Sequence, residues 1–461
     1  MPIVLRKEVL RLFDKVRDKL HTTRGISLAN TKASDYYEML SEEINDFAFQ
    51  KVKSRYLQKE LNSSFQRTRS DTVFVNPDTL NALMAYWKED RDARYEDEFA
   101  TGGSETELLK YAIQRVERTE MTISDTDIRK PEFPVGNPAY PASPHYPFRH
   151  GDFKKLWLKD ESFNPTGTHK DRMAWEVVRF YKKKLLDFIA GSPTSPQGGN
   201  HVQVPRLSLI SSGCAAVAIQ NLLNDFSLPS VKVLIDRRTT GVIRQTLENY
   251  GCELFETDLA RQALLSENIL QLTGNPGGID VTFGKGWGLE DIRFDYYDWL
   301  SYEVLNQNPD VCIVPFGTGN LFRNVLEINR RELSASVNDK RFFGEKGILK
   351  NCLFLGATCV FGKTDTVMDK LYTPYNSFRD FDFREYLPFC HPRSAVVEVE
   401  EQHVHQALEL AQSLGIQCEP SGIAGLGLLL QMENVLPKDK KILVVNTGRL
   451  KTVNSPVPVA L

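Results

Sequence analysis

The chain has 461 residues, 41% hydrophobic and 25% charged, enough to bury the cores of two or three ordinary globular domains. Its 57 Lys and Arg nearly balance 60 Asp and Glu, so there is no electrostatic case for nucleic acid or an anionic membrane, and a small molecule is the expected ligand. No apolar run is long enough to cross a bilayer, and the N-terminal MPIVLRKEVLRLFDKVRDKL carries charges throughout. The seven cysteines are scattered without a CxxC pair, so a cytoplasmic protein with buried thiols, no disulfide framework and no metal site is expected.

Residues 1–130 read as a helical extension. Leu5, Val9, Leu12, Phe13 and Val16 recur at helical spacing, and a second amphipathic run extends from Tyr36 to Leu61. In a third helix Asn76 serves as cap, Pro77 fits the first position, and Leu80, Leu83, Met84 and Trp87 form the apolar stripe. Ser104 and Glu107 make a capping box ahead of Leu108, Leu109 and Ile113. No catalytic residue types gather at chemical spacing, so this extension is read as covering one face of the main domain or making a homodimer contact. Prolines at 131, 134, 138, 141, 144 and 147 then predict an irregular connector from Lys130 to His150.

In the remainder, 131–461, Leu156, Trp157 and Leu158 read as a short buried strand. Asn164, Pro165 and Gly167 read as a tight turn, and a long helix starts at Lys170. A lysine at a positive helix end, partly buried, is biased toward the neutral amine and can attack a carbonyl; a solvated lysine in a basic first turn is the plain alternative. Further strands are predicted at 207–210, 231–235, 252–255, 311–314, 353–355, 395–399 and 442–445. Helices are predicted near 215–223, 241–250, 292–305, 321–328 and 404–414. This alternation predicts an α/β fold of parallel sheets covered on both faces, with ligands at the carboxyl ends of the strands.

Several turns stand at such ends. Ser211, Ser212 and Gly213 open an alanine-rich helix and offer hydroxyls and amides to a carboxylate; an ordinary serine cap is the plain alternative. Gly317, Thr318, Gly319 and Asn320 join a strand to a helix and suit a phosphate. Thr447 and Gly448 follow the last strand, and Glu419, Pro420, Ser421 and Gly422 open another helix, with Glu419 readable as a plain cap. His403 and His405 lie two apart on one helix and face different directions, which argues against a metal pair. The stretch from Ala190 to Pro205 reads as a surface loop or lid.

NPTGTHKDR, preceded by LKDE, resembles the cofactor-lysine segment of the pyridoxal phosphate enzymes of the tryptophan synthase β-type fold, threonine synthase above all. The resemblance implies two doubly wound parallel-sheet domains, the smaller and mobile one near 206–284, and pyridoxal 5'-phosphate held covalently by Lys170 with Thr168 beside the substrate. SSGC at 211–214 resembles the family's SSGN loop, implying that Ser211, Ser212 and Gly213 bind the substrate carboxylate. Cys214, a weakly hydrogen-bonding thiol, replaces the asparagine that meets the cofactor's phenolic oxygen; filling space and acting as a nucleophile are its two readings. Gly317, Thr318, Gly319 and Asn320 resemble the cofactor-phosphate loop, with Asn320 where a glycine is frequent. Thr447 matches the hydroxyl residue at the pyridine nitrogen, and Glu419 to Gly422 resemble the EPSSAA element lining the site.

A hydroxyl does not hold that nitrogen protonated, so elimination or replacement at Cβ or Cγ is implied rather than transamination. The implied activity is a threonine synthase-like lyase or synthase acting on a small amino acid, with a phosphorylated homoserine first. A β-replacement enzyme like cysteine or cysteate synthase is one alternative. A non-catalytic cofactor-binding regulator is the other, motivated by Cys214 and by His169, which stands where the family usually carries an aromatic or aliphatic residue. A phosphorylated substrate needs a second cation, for which Arg172, Lys159 and Arg449 are candidates.

Overall fold

The computed structural model describes residues 3–26, 31–47, 52–53, 72–74, 77–97, 99, 101–102, 105–124, 136–137, 140–191, 204–259, 264–284, 296–335, 345–363, 365–372 and 381–451. The chain divides into two compact units, one of Met1–Arg118, Lys182–Asn200 and Leu223–Ser230, the other of Thr119–Tyr181, His201–Leu222 and Val231–Leu461.

In the first unit, β1 (Ile3–Leu5) lies between β2 (Thr72–Phe74) and β3 (Thr101–Gly102) in an antiparallel sheet. The helices are α1 (Arg6–Arg24), α2 (Ala33–Phe47), α3 (Pro77–Lys88) and α4 (Glu105–Ser124). The periodic residues Val9, Leu12, Phe13 and Val16 of α1 bury against Leu40 and Ile44 of α2 and Leu80, Leu83 and Met84 of α3. Each such side chain contributes about 1.5–3 kcal/mol of transfer free energy. Leu5, counted in the helical stripe, instead ends β1, and α2 stops at Phe47. The rest of the run to Leu61, apart from 52–53, and the expected caps Asn76 and Ser104 lie outside the described residues.

The second unit starts with a short antiparallel pair, β4 (Gly136–Asn137) and β5 (Tyr140–Pro141). Its larger sheet contains β6 (His145–Phe148) and β7 (Lys155–Asp160), the latter leading to α5 (Lys170–Ile189). The smaller sheet follows: β8 (Leu207–Ile210), α6 (Cys214–Phe226), β9 (Lys232–Asp236), α7 (Gly241–Tyr250), β10 (Glu253–Thr257), α8 (Ser266–Leu272) and β11 (Ile279–Asp280). The chain then returns through α9 (Asp298–Leu305), β12 (Val311–Pro315), α10 (Asn320–Ser334), α11 (Lys346–Leu349), β13 (Leu353–Thr358), β14 (Ala395–Glu398), α12 (Glu401–Ser413), α13 (Ala424–Gln431) and β15 (Lys441–Asn446).

The small sheet has the order β10-β9-β8-β11 and is parallel. The large one has the order β14-β13-β12-β15-β7-β6, parallel except for β6. Continuous burial along β12 explains its unbroken apolar sequence, since helices cover both faces of a parallel sheet. Leu156, Leu158, Ile313 and Val444 form the core with Leu426 and Leu428 of α13. The proline-rich connector is not wholly irregular: His145–Phe148 pairs with β7, and Pro147 is tolerated because β6 is an edge strand. The stretch 192–203 and the expected helical start at 292–295 lie outside the described residues. No helix among the described residues is long and apolar enough to cross a membrane, and six of the seven cysteines are buried.

Candidate cofactor site

Lys170, Cys214 and Asn320 each begin a helix after a strand, and Thr447 follows β15. The carboxyl ends of parallel strands thus present all four, the usual ligand position in such sheets.

The lysine turn is tightly specified. Gly167 donates its N–H to Asn164 O at 2.9 Å and has φ +87°; a Cβ there would collide with Arg449 O. Buried Asp171 accepts from Thr166 N at 3.0 Å and Thr166 Oγ1 at 2.9 Å, and burial pushes its carboxyl up to about 7. Thr168, also buried, accepts the Lys170 N–H on its hydroxyl at 3.3 Å. The chain after β15 closes on this turn: His169 N donates to Thr447 O at 3.1 Å, Arg449 N to Gly167 O at 2.8 Å, and Lys451 N to Thr166 O at 2.9 Å. Thr447 therefore stands beside the lysine.

Lys170 Nζ donates to the hydroxyl of Tyr297, a fully buried side chain just before α9, at 2.8 Å. The Tyr297 ring lies 5.3 Å from the His169 imidazole at a 32° tilt. Burial first, then the charge of Lys170, push that imidazole down to about 3. A neutral His169 is a flat plate, close in shape to the aromatic member of the aromatic or aliphatic pair that the resemblance places there.

In the serine turn, the Ser211 hydroxyl accepts from Gly213 N at 3.0 Å and Ala216 N at 3.3 Å, so it caps α6. Ser212 is exposed, and Gly213, at φ +127°, would place a Cβ 3.3 Å from Ile243 and 3.5 Å from Leu450. In the glycine turn, Gly319 precedes α10 at φ +79° and no side chain caps that helix. A Cβ on Gly319 would stand 2.7 Å from the Phe316 ring, and one on Gly317 3.1 Å from Lys370 O. The first amides of α10 are thus uncapped by a side chain, beside exposed Thr318.

Two cations proposed for a substrate phosphate are elsewhere engaged. Arg172 pairs with Glu161 at 3.2 Å and Glu303 at 3.1 Å; Lys159 pairs with Glu303 at 2.5 Å and donates to Ser143 O at 2.6 Å. All four charged side chains are at most 3% exposed. Burial alone would raise Glu161, but Arg172 and Lys159 outweigh it and pull it to about 2. Arg449 is exposed.

Sequence reasoning missed Lys370. It lies in an irregular segment without a strand, a glycine motif or a cap to mark it. Its Nζ lies 3.3 Å from Cys214 Sγ and pairs with Glu419, while its N–H donates to the Ser421 hydroxyl at 3.1 Å. Glu419 and Ser421 thus position this lysine, beyond the simple cap that Glu419 could have been. Burial, then Glu419, push the Cys214 thiol up to about 11, which favours its space-filling reading over the nucleophilic one. Tyr297 was also unforeseen as the partner of Lys170.

Fold and site together define an α/β enzyme class that carries an organic cofactor at the carboxyl ends of its parallel strands. The family model described as "Pyridoxal-phosphate dependent enzyme" matches residues 147–448; the chain belongs to this family, of fold type II, whose cofactor is pyridoxal 5'-phosphate. No curated protein matches the sequence significantly. Among solved structures, a pyridoxal 5'-phosphate-dependent aspartate racemase is 13% identical, covering 73% of this chain and 94% of its own, at a TM-score of 0.48. A hydrogen sulfide-producing enzyme from Fusobacterium nucleatum is 17% identical (69% and 95% covered, TM-score 0.47). A fungal L-serine ammonia-lyase from Rhizomucor miehei is 15% identical (67% and 94% covered, TM-score 0.44). These likenesses do not extend to the reaction. The donor set fits the cofactor: an amine for its carbonyl, an uncapped helix end for its phosphate and a hydroxyl at the strand end.

Proposed function

We propose that this protein is a pyridoxal phosphate-dependent lyase or synthase that acts on a small amino acid by elimination and addition, as threonine synthase does. One observation carries the reading: a hydroxyl residue, Thr447, rather than a carboxylate, stands on the strand end that hydrogen-bonds to the lysine turn. Lys170 would hold the cofactor covalently, Gly317, Thr318, Gly319 and Asn320 its phosphate, and Thr447 its ring nitrogen, with Cys214 bordering it. When bound, the cofactor supplies an electron sink for charge developing at the substrate Cα.

The chain's own groups do the rest. The substrate carboxylate would meet the Ser211–Gly213 turn and Thr168. Because the Ser211 hydroxyl already caps α6, recognition falls mainly on Ser212 and the turn amides. Lys170 Nζ moves the α-proton, and the Tyr297 hydroxyl at 2.8 Å aims it. With Arg172 and Lys159 sequestered, only Arg449 of the three candidate cations is exposed for a substrate phosphate. That observation favours β-replacement on a serine ester as the second reading.

The test offers the cofactor-loaded protein O-phosphohomoserine, O-acetylserine and O-phosphoserine with a thiol or sulfite acceptor, following products by chromatography. Threonine from the first alone supports threonine synthase-like action, and β-substituted alanines support replacement. No turnover and no spectral change with any amino acid would overturn both in favour of a regulator.

A further inference from the structure

We propose that Lys370 is a second lysine of the cofactor site, its ammonium facing the phenolic oxygen of pyridoxal phosphate and fixing the charge there. The proposal rests on Lys170 being the cofactor lysine. On the pyridine ring the carbonyl carbon is flanked by the phosphate arm on one side and the phenolic oxygen on the other, with the nitrogen opposite. If Lys170 takes the carbonyl, the Gly317–Asn320 turn the phosphate and Thr447 the nitrogen, the phenolic oxygen is left the side next to Lys170 and away from the glycine turn. Cys214 stands close enough to Lys170 to feel its charge, and the Lys370 chain, rooted beside Gly317, reaches across to it.

Cys214 is a poor partner for that oxygen because its thiol is neutral and a weak donor. The ammonium 3.3 Å from its sulfur is a strong one. An ammonium has three N–H groups. Among the described residues Glu419 and Cys214 engage two, which leaves the third for the cofactor. Both side chains of the pair keep partial exposure, 19% for Lys370 and 18% for Glu419, so a ligand can reach them. Ser421 on the backbone and Glu419 on the side chain hold Lys370 at both ends. Burial works against the ammonium, and the Glu419 carboxylate paired with it offsets that cost. The charged and titratable groups around it are Glu419, Asp369, Cys214 and Lys170.

A cation there stabilises the ionised phenol and opposes a second positive charge on the nitrogen joining lysine and cofactor. The experiment is a pH titration of the bound cofactor's visible absorption, with the labelled lysine mapped after borohydride reduction. Lys370→Met is expected to move the midpoint up by about one pH unit or more, and Lys370→Arg to keep it near wild type. Glu419→Gln, which leaves the ammonium unneutralised, moves it down and decides by its sign even if Lys370→Met fails to hold cofactor. Unmoved midpoints with the label on Lys170 overturn the inference and leave the cofactor assignment standing. A label elsewhere in the wild type overturns both.

Discussion

Two clusters in the same unit pair lysine with glutamate and have opposite uses. Lys159, Arg172, Glu161 and Glu303 are at most 3% exposed and answer one another, two cations to two carboxylates. Lys370 and Glu419 are 18–19% exposed and abut the thiol of Cys214 near the strand ends. The first cluster fastens β7 and α5 to α9; the second stands beside Cys214 at the site where chemistry is proposed. Residue type does not separate them. Depth does, because a charged side chain at most 3% exposed is out of a ligand's reach and cannot lose a partner cheaply.

Breaking each cluster should therefore give different losses. The largest effect belongs to neither: Lys170→Ala should lose the covalent cofactor, seen by mass spectrometry after reduction, and about 10³-fold or more in turnover. Next, Arg172→Met removes the arginine from Glu161 and leaves Glu303 with Lys159 alone, and denaturant unfolding should show a loss of about 3–5 kcal/mol. Lys370→Met should cost no more than about 1 kcal/mol in the same assay, and equal losses would erase the contrast.

Acid sharpens it further. Glu161, held at about 2 against an ordinary 4.5, contributes stability that is complete above about 4.5 and is lost as pH falls toward 2. The acid unfolding curve of Glu161→Gln should be flatter across that window. The smallest effect concerns His169. It is neutral in the fold to about 3 but ordinarily protonates near 6.5, so its share is complete above 6.5 and declines as pH falls toward 3. His169→Phe should remove that decline and change stability at pH 8 by less than about 1 kcal/mol.

Much of the second unit was legible because buried parallel strands are written as short apolar runs. Leu207–Ile210 and the helix Gly241–Tyr250 match their predicted bounds, and β7, β12 and β15 are each predicted within one or two residues at either end. β6 was hidden by its proline, and two-residue β11 by its brevity. At the site, glycine turns and the helix-start lysine were visible as local grammar. Tyr297 and Lys370 were not, since each earns its place through a contact with a residue more than 100 positions away: 127 from Lys170 and 156 from Cys214. The same blindness made Arg172 and Lys159 look available, because a carboxylate brought in by α9 leaves no mark near either.

The hydrogen bonds that join the lysine turn to the end of β15 link positions 278 apart, His169 with Thr447. A ribosome that has released Lys170 still has the whole small sheet and β12 to β15 of the large one to make, so a growing chain has this amine before the strand end that packs beside it. On the proposed assignment, stable docking of the vitamin-derived aldehyde waits until translation has passed residue 447, and a message cut short before that point would yield a polypeptide with Lys170 intact and without the strand end proposed to face the coenzyme.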